Sequence, residues 1–272
     1  MDQPKDIERT YRKIELITRR WWFLLIFIVI NTIIPPYASR EFSPHEIGKV
    51  TEAILTQAII FSLPSEVYVV FKVVPIILIS LIMLMKNKVA RLFNVYVAIT
   101  YILFALLQSI AITEEYGFAV LTGNLVMFMI VSTFWFWESV VHKNNFTSIK
   151  RSPWRYWVVP LAFLAFWYPI NSQTLVPDFN PIYIFTNIAG LTFCTMTPVY
   201  LAVLILYWPQ INVATLRVTS LAGILIAFWN VIVNFFIAPD ILWWNGILHL
   251  PLLSISIYAF ILSFRKSKLY QR

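Results

Sequence analysis

The sequence predicts an all-α integral membrane protein, with eight transmembrane helices arranged as four consecutive helical hairpins of like orientation. Three observations carry that prediction. Apolar runs dominate: 60% of residues are hydrophobic and 12% charged, where a soluble domain averages about 25% charged. Basic residues fall in alternate loops. Polar residues recur at one spacing along the chain.

The elements follow in order. Residues 1–20, MDQPKDIERTYRKIELITRR, place Ile7, Tyr11, Ile14 and Ile17 at helical spacing. This segment reads as a cytoplasmic amphipathic helix on the membrane surface, or as a solvated start to the first span. Eight apolar segments follow at 20–37, 66–85, 91–112, 117–141, 154–173, 181–208, 216–237 and 242–264. A crossing needs about 20 helical residues. The single membrane domain runs over 21–264, in hairpins 21–85, 91–141, 154–208 and 216–264, and a basic cytoplasmic tail occupies 265–272. The external loop 37–65 contains Ser43-Pro44-His45-Glu46, a capping-box start with Pro at the first helical position. An amphipathic interfacial helix is expected after it.

Orientation follows from charge. One side collects 18 of the 21 Lys and Arg, including Lys86, Lys88, Arg91, Lys143, Lys150, Arg151, Arg155 and Arg217; the opposite loops hold only Arg40 and Lys49, and Lys72 falls inside a span. The positive-inside rule puts both termini in the cytoplasm of a multi-pass protein, read as one of the cell membrane. The net charge of +8 is therefore a topology signal, with no nucleic acid partner expected. The charged first 20 residues, with no small-residue cleavage site after the first apolar run, predict that no signal peptide is removed. The sequon Asn145-Phe146-Thr147 falls in a cytoplasmic loop. The single cysteine, Cys194, excludes an intramolecular disulfide and reads as a small buried hydrophobe.

Four marks suggest a repeat of about 63 residues. Arg91, Arg155 and Arg217 each open a span. Gln108, Asn171 and Asn234 lie near the outer end of that span. Glu115, Asp178 and Asp240 mark the outer turns, and Asn124, Asn187 and His249 each follow nine residues later. The first hairpin reads as a divergent copy, with Asn31 before Pro35-Pro36 and Lys72-Val-Val-Pro75 in place of His249-Leu-Pro251. At 1.5 Å per residue, the amide marks lie about 25 Å from the basic ones, and the last set lies about 10–13 Å into the bilayer. Lys72, Asn124, Asn187 and His249 would then share one depth and line a pocket opening outward, because polar groups at that depth avoid lipid. Asn31, Gln108, Asn171, Asn230, Asn234 and Thr122 complete the expected lining. Interhelical hydrogen bonding is the structural alternative for the amides.

His249 can act as acid, base or ligand near neutral pH. Thr186, beside Asn187, and Thr122 fall near it in depth. Asp240 lies about 13 Å away along a helix and cannot orient the ring; Asn230, Asn234 or Asp178 are alternatives for a third group. Glu138 and His142 stand at i and i+4 and read as a cytoplasmic surface pair. No metal site or cofactor is expected, since His45, His142 and His249 do not converge.

Phe185-Thr186-Asn187 together with WWNGILHLP, Trp243 to Pro251, resembles the androgen-induced family of membrane hydrolases over spans six to eight. The resemblance implies cleavage of fatty-acid esters of hydroxy fatty acids, with Thr186 as nucleophile and His249 as base. The eight-span layout exceeds what that family leads one to expect. Three functions are therefore carried forward: binding or transport of a small polar or amphiphilic solute; hydrolysis of a lipid or fatty ester within the membrane by Thr186 and His249; and a non-catalytic accessory role with lipid as the surroundings.

Overall fold

A computed structural model describes residues 5–147 and 153–265. Lys150, Arg151 and residues 266–272, which belong to the basic tally and the tail, lie outside the described residues. The described chain is mostly helical. Helical runs at Ser65–Gln108, Thr122–Val141, Val213–Ile237 and Pro239–Phe264 are long and apolar enough to cross a membrane, and the bent pair Tyr183–Leu191 and Phe193–Tyr207 makes a fifth if counted as one span.

Helix α1, Lys5–Thr18, lies against one end of the bundle. Its Tyr11 and Thr18 are buried, whereas Ile17 is exposed. Helix α2, Trp21–Thr32, has only 12 residues, against the predicted 20–37. The residue before a proline disfavours the α region, so the helix stops ahead of Pro35-Pro36. Strand β1, Tyr37–Ala38, follows. Within the loop 37–65 a 3-10 turn at Pro44–Glu46 leads into α3, Ile47–Thr56. The Ser43 N–H donates to Glu46 Oε2 at 2.7 Å, the reciprocal bond that the capping-box pattern predicts.

Helix α4, Ser65–Met85, turns at Lys86–Val89 into α5, Ala90–Gln108. The start of α4 (Val67, Tyr68, Phe71) and the end of α5 (Leu103, Leu107) pack together around Ile60 and Leu191, so the run doubles back on itself. Continuous helix was expected to residue 112 and again from 117. Instead β2, Ile110–Thr113, and β3, Gly117–Val120, form a hairpin before α6, Thr122–Val141. The β-branched Ile110, Ile112, Thr113 and Val120 favour strand. Gly117 at φ 65 takes a left-handed conformation that other residues rarely adopt. The sheet order is β1-β3-β2, antiparallel throughout.

Three further departures from the expected helices lie in the second half. Segment 154–173 contributes one α-helix, α7, Val158–Trp167, after a 3-10 turn at Pro153–Arg155. Tyr168 ends it in the left-handed region at φ 52, and Pro169 prevents continuation. Segment 181–208 is broken into α8, Tyr183–Thr186, a 3-10 turn at Ile188–Leu191, and α9, Phe193–Tyr207, with a 97° bend. Helix α10, Val213–Ile232, widens into a π-helical turn at Val233–Ile237 before α11, Pro239–Phe264. Asn212 caps α10, its Oδ1 accepting from the N–H groups of Ala214 and Thr215 at 3.1 Å each, which satisfies two orphan donors.

Helix α9 is the axis of the core. Its Tyr200 packs edge-on against Phe93 and Trp135 from α5 and α6. Hydroxyl pairs Thr100–Tyr200 at 3.1 Å and Tyr101–Thr197 at 3.0 Å tie α5 to α9. Trp135 donates to Thr219 of α10 at 3.1 Å. Such bonds hold helices together where both solvents, protein and lipid, are apolar.

Candidate functional site

The C-terminal end of α7 gathers the polar groups. A helix leaves its last four carbonyls without intrahelical partners, and here side chains from other elements supply donors to those of Phe166 and Trp167. Lys72 of α4 is fully buried. Its Nζ donates to the Phe166 carbonyl and stands 4.2 Å from the centroid of the Phe166 ring. Asn187, between α8 and the 3-10 turn, donates through Nδ2 to the carbonyls of Trp167 at 2.8 Å and Tyr168 at 3.1 Å. Its Oδ1 meanwhile accepts from the Ala189 N–H at 3.1 Å. A cation at a helix C-terminus is favoured by the macrodipole, so Lys72 and Asn187 act together as the cap of α7. Gly190 makes the approach possible: a Cβ there would meet the Phe71 carbonyl oxygen at 2.5 Å.

Tyr168 links this cap to α10 and α11. Its hydroxyl donates to Asn245 Oδ1 at 2.5 Å, and Asn245 Nδ2 donates to Asn234 Oδ1 at 2.8 Å. Asn234 Nδ2 in turn donates to the Asn230 carbonyl at 2.6 Å. Asn230 Nδ2 reaches the Ile226 carbonyl at 2.9 Å and Cys194 Sγ at 3.8 Å. The π-helical turn carries Asn234, and a single extra residue in the turn redirects a side chain. The His249 ring lies edge-on to Tyr168, with centroids 6.3 Å apart. Its Nδ1 is 2.7 Å from the Asn245 carbonyl oxygen. A carbonyl can only accept, so Nδ1 carries the proton, and Nε2 of the neutral ring is an acceptor. Trp244 donates to the Pro169 carbonyl at 2.7 Å and closes the group over the end of α7.

The other expected lining residues lie elsewhere. Asn31 Nδ2 donates to Asn124 Oδ1 at 3.4 Å, and Asn31 Oδ1 accepts from Trp229 Nε1 at 3.0 Å. This is a separate contact among α2, α6 and α10. Gln108 clamps the bend before α9, donating to the Leu191 carbonyl at 2.8 Å and accepting from the Phe193 N–H at 3.2 Å. Asn171 shapes a loop through the N–H groups of Gln173 and Thr174. Thr122 donates to the Val120 carbonyl at 3.4 Å. Thr186 donates back to the Ile182 carbonyl of its own helix at 3.0 Å, and no hydrogen bond joins it to His249. Among the described residues, no three of His, Cys, Asp or Glu come together as a metal-ligating group.

Glu138 differs from the surface pair expected. It is fully buried, and its oxygens accept from the Asn144 N–H at 2.6 Å and Asn212 Nδ2 at 2.7 Å. Asn144 also accepts from the Asn212 N–H at 2.7 Å and donates to Asn94 Oδ1 at 3.2 Å. His142 is exposed. The cause is the chain reversal after α6, which folds residues 144–146 back over the helix end and supplies better donors than a neighbouring imidazole. Sequence reasoning also missed Tyr168 and Asn245. The available signals were a tyrosine directly before Pro169 and an amide one helical turn before His249.

No family model, curated protein or solved structure matches this chain.

Proposed function

We propose that this chain is a multi-pass membrane protein that binds or transports a small polar or amphiphilic solute at the end of α7. The observation that carries this reading is the convergence of two ionisable groups, Lys72 and His249, on residues 166–168, where α7 stops short. Ionisable groups inside membrane spans are costly and mark pathways, and discontinuous helices mark transporter sites. In this reading α2 and α7 are short passes among eight, paired as four hairpins, with both termini in the cytoplasm. The charge asymmetry of the sequence supports that orientation, and the spacing of about 63 residues is the support for a repeat. The site then lies in the outer half of the bilayer. Different hydrogen-bond partners for Thr186 and His249 favour binding over acyl transfer.

The test is uptake into proteoliposomes, using a panel of amino acids, sugars, short carboxylates and lysophospholipids. The wild type should take up one class. Lys72→Met and His249→Gln should each slow that uptake roughly tenfold or more, equivalent to about 1.4 kcal/mol, while thermal unfolding in detergent shows that the fold persists. Uptake unchanged in both variants would refute the proposal.

A further inference from the structure

The small outer sheet has two apolar faces, and the fold covers only one of them. In register, Ala111 opposes Ala119 and Thr113 opposes Gly117. Ala111 and Ala119 pack with Val50 and Ile54 of α3 and with Tyr116. The opposite face presents the pair Ile112–Phe118 and, from β1, Tyr37. These side chains are 74%, 45% and 55% exposed, and the Tyr37 and Phe118 rings meet edge-on at 6.5 Å. An antiparallel sheet with one solvated face normally alternates apolar and polar residues. This one does not.

We infer that the Tyr37–Ile112–Phe118 face is inserted into the headgroup and upper acyl region of the outer leaflet, so that lipid is its partner. The inference rests on the membrane reading above. Three features favour lipid over another protein. The strands leave α5 after Gln108 and enter α6 at Thr122, so the face continues the apolar flank of those helices, where Leu106 of α5 is also exposed, as is Ile33 at the end of α2. Polarity is graded along the hairpin: the apolar pair sits mid-strand, while the tip carries Glu114 and Glu115, with the Arg40 guanidinium donating to the Glu114 carbonyl. A four-residue strand spans about 13 Å, enough to cross the interfacial zone of about 5–8 Å per leaflet. Lastly, the sheet offers little edge to a second chain. The Ala58–Ala111 bridge occupies the β2 side, and β1 has two residues. Tyrosine and phenylalanine at this level suit an interface that is apolar at one end and wet at the other.

The experiment uses the full chain with Cys194→Ala and single spin labels at Ile112→Cys, Phe118→Cys, Glu115→Cys and Phe228→Cys. The protein is reconstituted in phosphatidylethanolamine and phosphatidylglycerol vesicles. Collisions with oxygen, which partitions into the bilayer, are compared with those of a water-soluble nickel chelate. Labels at 112 and 118 should meet oxygen and be shielded from nickel, with the reverse at 115. Nickel reaching 112 and 118 as freely as 115 overturns the inference. Exclusion of both reagents there also overturns it, in favour of a protein partner or a second copy. The label at 228, on the exposed flank of α10, separates the two claims. If nickel reaches it as well, the membrane reading itself has failed.

Discussion

Single residues at the basic end of the bundle fix how helices meet. Arg217, expected as a cytoplasmic marker, is fully buried. Its guanidinium donates to the Glu15 carbonyl at 3.2 Å, the Thr18 hydroxyl at 2.6 Å and the Ser263 carbonyl at 2.6 Å, with the Phe264 ring centroid 4.7 Å away. One planar fork thus satisfies the ends of α1 and α11, which a lysine cannot do in two directions. Arg217→Met should destabilise by about 2–4 kcal/mol, since each stranded buried acceptor costs about 1–3 kcal/mol, and Arg217→Lys should recover only part of this. Denaturation in detergent, followed by helical signal, measures both. Glu138→Ala leaves the Asn144 N–H and the Asn212 amide unsatisfied and should cost a similar amount, with Glu138→Gln milder because one acceptor remains. The sequence exposed both residues as ionisable groups near span ends. It did not reveal their burial, because the partners, backbone groups together with the Thr18 hydroxyl and the Asn212 amide, are brought in mostly from distant segments.

At the scale of elements, the breaks in the helices decide what the site contains. Had α7 continued through Tyr168, its carbonyls would be internally bonded and would not hold Lys72 and Asn187. Gly190→Ala pushes a methyl into the Phe71 carbonyl. It should cost about 1–3 kcal/mol, the range for overpacking, and is read as a lowered melting temperature. Helix α1 is held by a different device, an ion pair between Lys143 Nζ and Glu8. Lys143, hydrogen-bonded to Glu8, holds that carboxyl below its ordinary value of 4.5. A lowered carboxyl value means that the unfolded state binds more protons. The contribution is therefore present above the ordinary value and is lost as pH falls through the folded one. Glu8→Gln should lower stability at neutral pH by about 0.2–1 kcal/mol, typical of an exposed pair. Melting curves of variant and wild type should converge below pH 4.5. Apolar periodicity predicted the helices that are long and regular. It did not predict where α7, α8 and the β2–β3 hairpin depart, because Ile and Val suit a buried helix and a strand alike, and the left-handed Tyr168 is set by tertiary contacts.

For the whole molecule, a membrane-type helical bundle was legible in composition alone, whereas spacing and residue type singled out Lys72, Asn187, Asn230, Asn234 and His249 of the candidate site. Lys72 and Asn187 reach the end of α7 through hydrogen bonds to its carbonyls, and His249 through its contact with the Tyr168 ring. Asn124 had the same spacing and yet pairs with Asn31 and Trp229, because depth along a helix says nothing of which way a side chain faces. The central claim is that the polar group at the end of α7 is reached from outside the cell. The most direct measurement is alkylation of His249→Cys, in a Cys194→Ala background, by a membrane-impermeant methanethiosulfonate applied to sealed right-side-out vesicles. Modification from outside is the predicted result. Modification only after the interior is opened, or none from either side, would contradict it.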